Sequence, residues 1–286
     1  NKISTSQIQE FSPIPLTMIN CGEFMMGSRG SFNFADVTCN LEKKTIWSCN
    51  SLSKFASRKL ASKKPEWEID LNGTGLVIVH LALQNHLLVG TEKGNVYLID
   101  GKDKKIITTY KDHHAPISSI AVDRKEQSFA SCALDGRIVF RKLSKKESSW
   151  TLTSDDYQSD VEYLEFSNDS RSLLASGLHS NVMIIDTKIG KPQTVWQSKE
   201  GIVLKAKWLP KKNYIIILHA NGILSFLEGK SGVIYKIVPT NLSSAFDFQL
   251  SKDGERILLI TDKGSCSLRE LPDHTSIVVL NPDGKI

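Results

Sequence analysis

Histidines, cysteines and carboxylates are where chemistry would start in this chain, and their spacing argues against a local metal or catalytic centre. The seven histidines are His80, His86, His113, His114, His179, His219 and His274. No pair has the His-x-His or His-x-x-x-His spacing that aims two imidazoles at one zinc ion. On a strand, the adjacent His113 and His114 would point to opposite faces. The five cysteines, Cys21, Cys39, Cys49, Cys132 and Cys266, contain no Cys-x-x-Cys. They read as free thiols in a reducing compartment, with Cys132 and Cys266 on core-facing strands. A glycine-rich phosphate loop, a Gly-x-Ser-x-Gly elbow and a Cys/His catalytic spacing are absent. No cofactor and no metal are expected. A site assembled from distant repeats leaves no linear motif, so an enzyme of that kind stands as a remote alternative.

Any such side chains must be positioned by a repeated element. A tight polar turn recurs at Gly30, Gly94, Gly136, Ser180, Gly222 and Gly264, with separations of 64, 42, 44, 42 and 42 residues. Two residues past the turn stand Phe32, Val96, Ile138, Val182, Leu224 and Cys266. Four past it stand Phe34, Leu98, Phe140, Ile184, Phe226 and Leu268. Apolar residues two apart mark a strand with one buried face, and a period near 42 is the length of a four-stranded propeller blade. The first separation fits if 22 residues, at about 51–72, are an insertion. A second strand precedes each turn (FMMG, LLVG, SFASC, LLASG, IIIL, ILLI), after a first strand ending at Ile19, Leu83, Val122, Phe166, Trp208 or Phe248. A fourth strand follows (TIWSC, IITTY, WTLT, TVWQ, VIYKI, SIVVL). The expected fold is all-β, a propeller of six four-stranded blades in which each blade buries its neighbour's face. It fills residues 1–286 as one domain, expected to belong to a longer chain. A strand at Ile3 to Phe11, or a seventh blade from further sequence, would close the ring and remove its free edges.

The third unit, DHHAPISSIAVDRKEQSFASCALDGRIVFRKL, resembles a WD40 repeat. Asp112 stands where that family has Gly, His113 matches its His, Ser131 its strand hydroxyl and Asp135 its turn acid. Arg141 takes the place of its Trp, a place held in the other units by Ala35, Ile99, Ile185, Leu227 and Arg269. The resemblance implies a buried hydrogen-bond network of His113, Ser131 and Asp135, incomplete for want of the Trp. A buried imidazole needs a partner on each nitrogen, which agrees with that role.

The net charge of +5 resides in one segment. Ser53 to Lys64 carries Lys54, Arg58, Lys59, Lys63 and Lys64 and no acid; without these five, 31 basic residues face 31 acidic ones. The plain reading is a solvated loop. The functional readings are a nuclear address, a contact with an anionic surface, or phosphorylation at Ser62 behind Arg58 and Lys59. Trp67, outside the repeat register, either pins this loop to the ring or offers an exposed anchor to a partner. No apolar run approaches the roughly 20 residues of a membrane span, so no membrane insertion is expected.

With the resemblance, these features predict a non-catalytic scaffold for protein partners within a multi-subunit intracellular assembly, cytoplasmic or nuclear. The candidate face is formed by the turns and by the loops entering each blade. Its residues are Glu92, Lys93, His114, Leu134, Arg137, His179, His219, Asp262 and Lys263, with Trp67 added as an anchor. The alternatives are a propeller that binds RNA through residues 53–64 and, more remotely, an enzyme with a channel site.

Overall fold

The computed structural model describes residues 36–40, 42–49, 53–59, 62, 64–157, 161–177, 181–240, 242, 245–261, 266–271 and 277–280. They form six four-stranded antiparallel sheets in chain order. Blade 1 holds β1 (Val37–Asn40), β2 (Thr45–Cys49), β3 (Lys54–Lys59) and β4 (Trp67–Asp70). Blade 2 holds β5 (Gly75–Leu81), β6 (His86–Thr91), β7 (Val96–Asp100) and β8 (Lys105–Tyr110). Blade 3 holds β9 (Ile117–Val122), β10 (Ser128–Ala133), β11 (Ile138–Lys142) and β12 (Trp150–Leu152), followed by one helical turn, α1 (Ser154–Tyr157). Blade 4 holds β13 (Tyr163–Phe166), β14 (Ser172–Ser176), β15 (Asn181–Asp186) and β16 (Lys191–Gln197). Blade 5 holds β17 (Val203–Trp208), β18 (Tyr214–His219), β19 (Ile223–Glu228) and β20 (Ile234–Pro239). Blade 6 holds β21 (Ala245–Leu250), β22 (Arg256–Thr261), β23 (Cys266–Glu270) and β24 (Ile277–Leu280).

The number of blades matches the expectation, but the first blade is a different one. The unit framed on Gly30, Phe32 and Phe34, and the strand at Ile3 to Phe11, lie outside the described residues. The supposed insertion supplies the third and fourth strands of the first blade. Lys54–Lys59 pairs with β2 on one side and with β4 on the other, so it is an interior strand and not a loop. Third strands now begin at Lys54, Val96, Ile138, Asn181, Ile223 and Cys266, and the register runs through with no insertion. The segment TIWSC is accordingly the second strand of blade 1. Leu83, expected to end a first strand, sits two residues past β5 and is 75% exposed.

Each blade buries its faces against its neighbours, as sheets with two apolar faces must. Among the described residues, five hydrophobic clusters lie at the five successive interfaces. Phe55, Trp47, Leu87 and Val89 fill the first, and Ile215, Ile217 and Trp208 fill that between blades 4 and 5. Trp67, half-buried, packs on Phe55 at a centroid distance of 5.6 Å and so pins β4 to the blade. Trp150, on an outer strand, stacks on Phe140 and donates to the Thr187 carbonyl of blade 4 at 2.9 Å. First strands are also tied to one another by polar side chains one repeat apart. The Ile78 amide donates to Asp36, that of Leu164 to Ser119 and that of Trp208 to Glu165.

Candidate functional site

The second-to-third-strand turns and the links entering each blade share one end of the ring. Gly94 has φ +78, a conformation that glycine adopts at no steric cost. A Cβ there would fall 2.5 Å from the His113 carbonyl oxygen, so the turn of blade 2 is pressed against the link into blade 3. Gly136 is set likewise against Ser154. These contacts make one continuous turn face.

Under that face lies the expected network. His113 Nε2 is 2.9 Å from Ser131 Oγ, and Nδ1 is 3.2 Å from Asp135 Oδ1. Asp135 also accepts the His114 and Arg137 amides, at 2.9 and 3.0 Å. Among the described residues no hydrogen bond joins residue 141 to His113, Ser131 or Asp135. Arg141, buried in the Trp place, donates to Asp112 and to the Lys146 carbonyl. Its guanidinium lies 4.5 Å from the Tyr110 ring centroid, a cation–π distance. The two departures from the family pattern, Asp112 and Arg141, therefore answer each other. Blade 6 also buries an arginine in the Trp place, held by neutral groups: Arg269 donates to Ser267 Oγ and to the Thr240 carbonyl.

Of the proposed docking residues, Glu92, Lys93, His114 and Leu134 are exposed on the turn face, Leu134 at 65%. Arg137 is half-buried and reaches the Asp112 carbonyl. His219 does not belong with them. It is the last residue of β18, fully buried, with Nε2 2.9 Å from Ser225 Oγ and Nδ1 3.3 Å from Ser198 Oγ. Its role is structural. His179, Asp262 and Lys263 lie outside the described residues, as does Lys63 of the basic segment. Lys54 is paired with Glu68 and Asp70, and Lys59 with Glu66. These acids stand just past the segment that the charge count isolated. Arg58 closes against the second strand, and Lys64 is exposed. The Ser62 hydroxyl donates to the Lys64 carbonyl in the turn between β3 and β4.

One polar group went unnoticed in the sequence. Along the first strands, Tyr163, Glu165, Lys205, Lys207, Asp247 and Gln249 come together from blades 4, 5 and 6. Lys205 pairs with Asp247, and Lys207 Nζ donates to Gln249 at 2.8 Å. Burial pushes the Glu165 carboxyl and the Tyr163 phenol up, and the Lys207 ammonium down. The available signal was polar residues at alternate strand positions, repeated 42 residues later in Lys205 to Asp247 and Lys207 to Gln249. Burial also raises the thiols of Cys49 and Cys132 to about 12, which leaves them protonated and unreactive. Among the described residues, no three His, Cys, Asp or Glu side chains converge as metal ligands. Among them, too, no helix is long and apolar enough to cross a membrane.

Two predictions arise here. His113→Ala should destabilise the protein by about 1–3 kcal/mol, because Ser131 loses its buried partner. Thermal or urea unfolding measures it, and an unchanged midpoint would make His113 an ordinary loop residue. The second concerns pH. Burial lowers the His113 pKa against the opposing pull of Asp135 and Asp112, and lowers that of His219 against Glu200. The unfolded chain therefore takes up protons first as pH falls through the ordinary histidine range. Stability is present above that range and declines below it, by at most about 1.4 kcal/mol per pH unit for each histidine. Melting curves between about pH 8 and 5.5 should show this decline, and it should flatten in a His113→Gln/His219→Gln variant.

Comparison with known proteins agrees with the geometry. The family model described as Vps42 beta-propeller (Beta-prop_Vps41) matches residues 75–249. Vacuolar protein sorting-associated protein 41 of Schizosaccharomyces pombe is 23% identical over 189 residues, covering 62% of this chain and 21% of that protein. The chain thus spans about a fifth of that relative's length. A chain of the mitotic checkpoint complex crystal structure superposes with a TM-score of 0.75 at 14% identity, over 86% of this chain and 77% of that one. At that identity the likeness concerns the fold alone. The family match takes in more than half of the residues, from blade 2 through blade 5 and into the first strand of blade 6, so this chain belongs to the Vps41 β-propeller family.

Proposed function

We propose that this propeller is a non-catalytic protein-interaction module of a larger intracellular vacuolar-sorting protein, engaging partners through its turn face. The observation that carries this reading is the pairing of a fixed base with an exposed rim. The His113–Ser131–Asp135 and Asp112–Arg141 links hold the backbone from below, while His114, Leu134, Glu92 and Lys93 stand outward. An exposed apolar residue on a pre-organised backbone loses little entropy on docking. The family and the similarity to a vacuolar sorting protein support the assembly context. An RNA-binding arm has less behind it, because Lys54 and Lys59 are already paired within blade 1.

Affinity capture of the full-length protein from its own cells, followed by mass spectrometry, tests the proposal. A Lys93→Glu/Leu134→Asp variant should lose at least one partner that the parent protein retains. Identical partner sets from two equally folded proteins would overturn it.

A further inference from the structure

The opposite end of the ring, built from the first-to-second-strand and third-to-fourth-strand turns, carries a second feature. A cavity of about 730 Å³ there is walled by residues of blades 3 to 6, among them Tyr163, Glu165, Arg124 and Lys252. A cleft of about 940 Å³ between blades 4 and 5 is lined by Arg171, Lys212, Lys230 and Trp208. Ser167, Asn168 and Lys211 line both, so the two form one continuous groove.

Its charge is lopsided in what remains available. Three of its carboxylates are turned onto their own turns. Asp169 accepts from Ser167 Oγ and the Arg171 amide, and Asp186 from the Lys188 and Ile189 amides and from Gln193. Asp253 accepts from Ser251 and the Glu255 amide. Arg124, Arg171, Lys211, Lys212 and Lys252 are all exposed, and among the described residues none forms an ion pair. In the wall of the cleft, Trp208 is 5% exposed, and its indole Nε1 has no hydrogen-bond partner among the described residues. A buried donor left unpaired costs free energy that an acceptor oxygen would recover. Ile189 and Val233, on the third-to-fourth-strand turns of blades 4 and 5, are 58% and 61% exposed.

We propose that this groove binds an acidic peptide segment bearing apolar residues, with carboxylates on Arg171, Lys211 and Lys212 and apolar side chains against Ile189 and Val233. An extended chain fits an open, curved groove of this size, whereas a small ligand needs enclosure by apolar walls. The concave placement favours a peptide over a bilayer, because a flat surface cannot reach the walls of the cleft where Trp208 sits. The site is separate from the turn face, so either can fail without the other.

Fluorescence anisotropy on the full-length protein tests it, with a labelled Glu/Leu peptide, its Gln/Leu counterpart, and vesicles of phosphatidylcholine with phosphatidylserine as probes. Arg171→Glu/Lys212→Glu should weaken Glu/Leu binding by about tenfold or more. The same charge change placed on the third-to-fourth-strand turn of blade 2, outside the groove, Lys102→Glu/Lys104→Glu, should weaken it less than about twofold. Affinity should fall with rising salt, and the Gln/Leu peptide should bind far less well. Equal loss in both variants would reduce the effect to net charge and overturn the proposal. So would binding of vesicles in place of the peptide, or no binding of the peptide at all.

Discussion

Deleting Ser53 to Lys64 is expected to unfold the first blade. The segment contains β3, which holds ladders to β2 through Thr45↔Lys59 to Cys49↔Phe55 and to β4 through Lys54↔Asp70 to Ser57↔Trp67. Without it, β4 has no neighbour, and the cluster of Trp47, Cys49, Leu71, Ile78 and Leu87 loses Phe55, which is wholly buried. Truncating such a phenylalanine alone costs about 3–5 kcal/mol, and the deletion adds the loss of two ladders. A solvated loop of similar length would cost less than about 1 kcal/mol to remove. Circular dichroism melting and limited proteolysis separate the two outcomes. The deletion should lower the melting temperature sharply and expose cleavage sites between residues 37 and 70, with Phe55→Ala a milder copy of the same change. A deletion variant that melts like the parent would place β3 outside the fold.

The second large effect is expected at Arg141. Arg141 is wholly buried, so its removal takes away the packing of a large side chain together with its charge pair, at a cost of about 3–5 kcal/mol. Arg141→Ala also removes the guanidinium that packs on Tyr110 and Phe129 and caps the Lys146 carbonyl. Arg141→Lys should rescue little, since an ammonium cannot reach Asp112 and Lys146 at once while lying over a ring. Asp112→Ala should cost a comparable amount, because it leaves the buried Arg141 charge with only the Lys146 carbonyl and the Tyr110 ring, whereas Arg141→Ala leaves Asp112 partly open to water. Urea unfolding of the single and double variants should give a coupling of about 1–3 kcal/mol. Additive losses would mean that the pair is incidental.

The sequence and the structure part company where the usual signals are missing. In blades 2 to 6 the strands were legible because Val96 and Leu98, Ile138 and Phe140, or Leu224 and Phe226 alternate behind a compact turn. In blade 1 the turn is closed by Ser53 at φ 62 in place of a glycine, and its third strand reads KFASRK. That strand pairs its lysines with Glu66, just before β4, and with Glu68 and Asp70 of β4, so it looks like a charged loop when these acids are left out. His219 was misplaced because its partners, Ser198 and Ser225, are set by strand pairing and leave no short-range pattern. His113 was legible because its partners keep the spacing of a known repeat. Arg141 read as a loss because a missing Trp is visible in one repeat, whereas its replacement partner Asp112 comes from 29 residues earlier.

Hydrogen–deuterium exchange on the full-length protein, free and in a captured complex, tests the central claim most directly. If partners dock on the turn face, residues 92–95, 111–116 and 134–137 should gain protection, while the outer strands β8 and β16 should not change. Protection confined to those outer strands, or none in the turns of a complex that remains assembled, would contradict it.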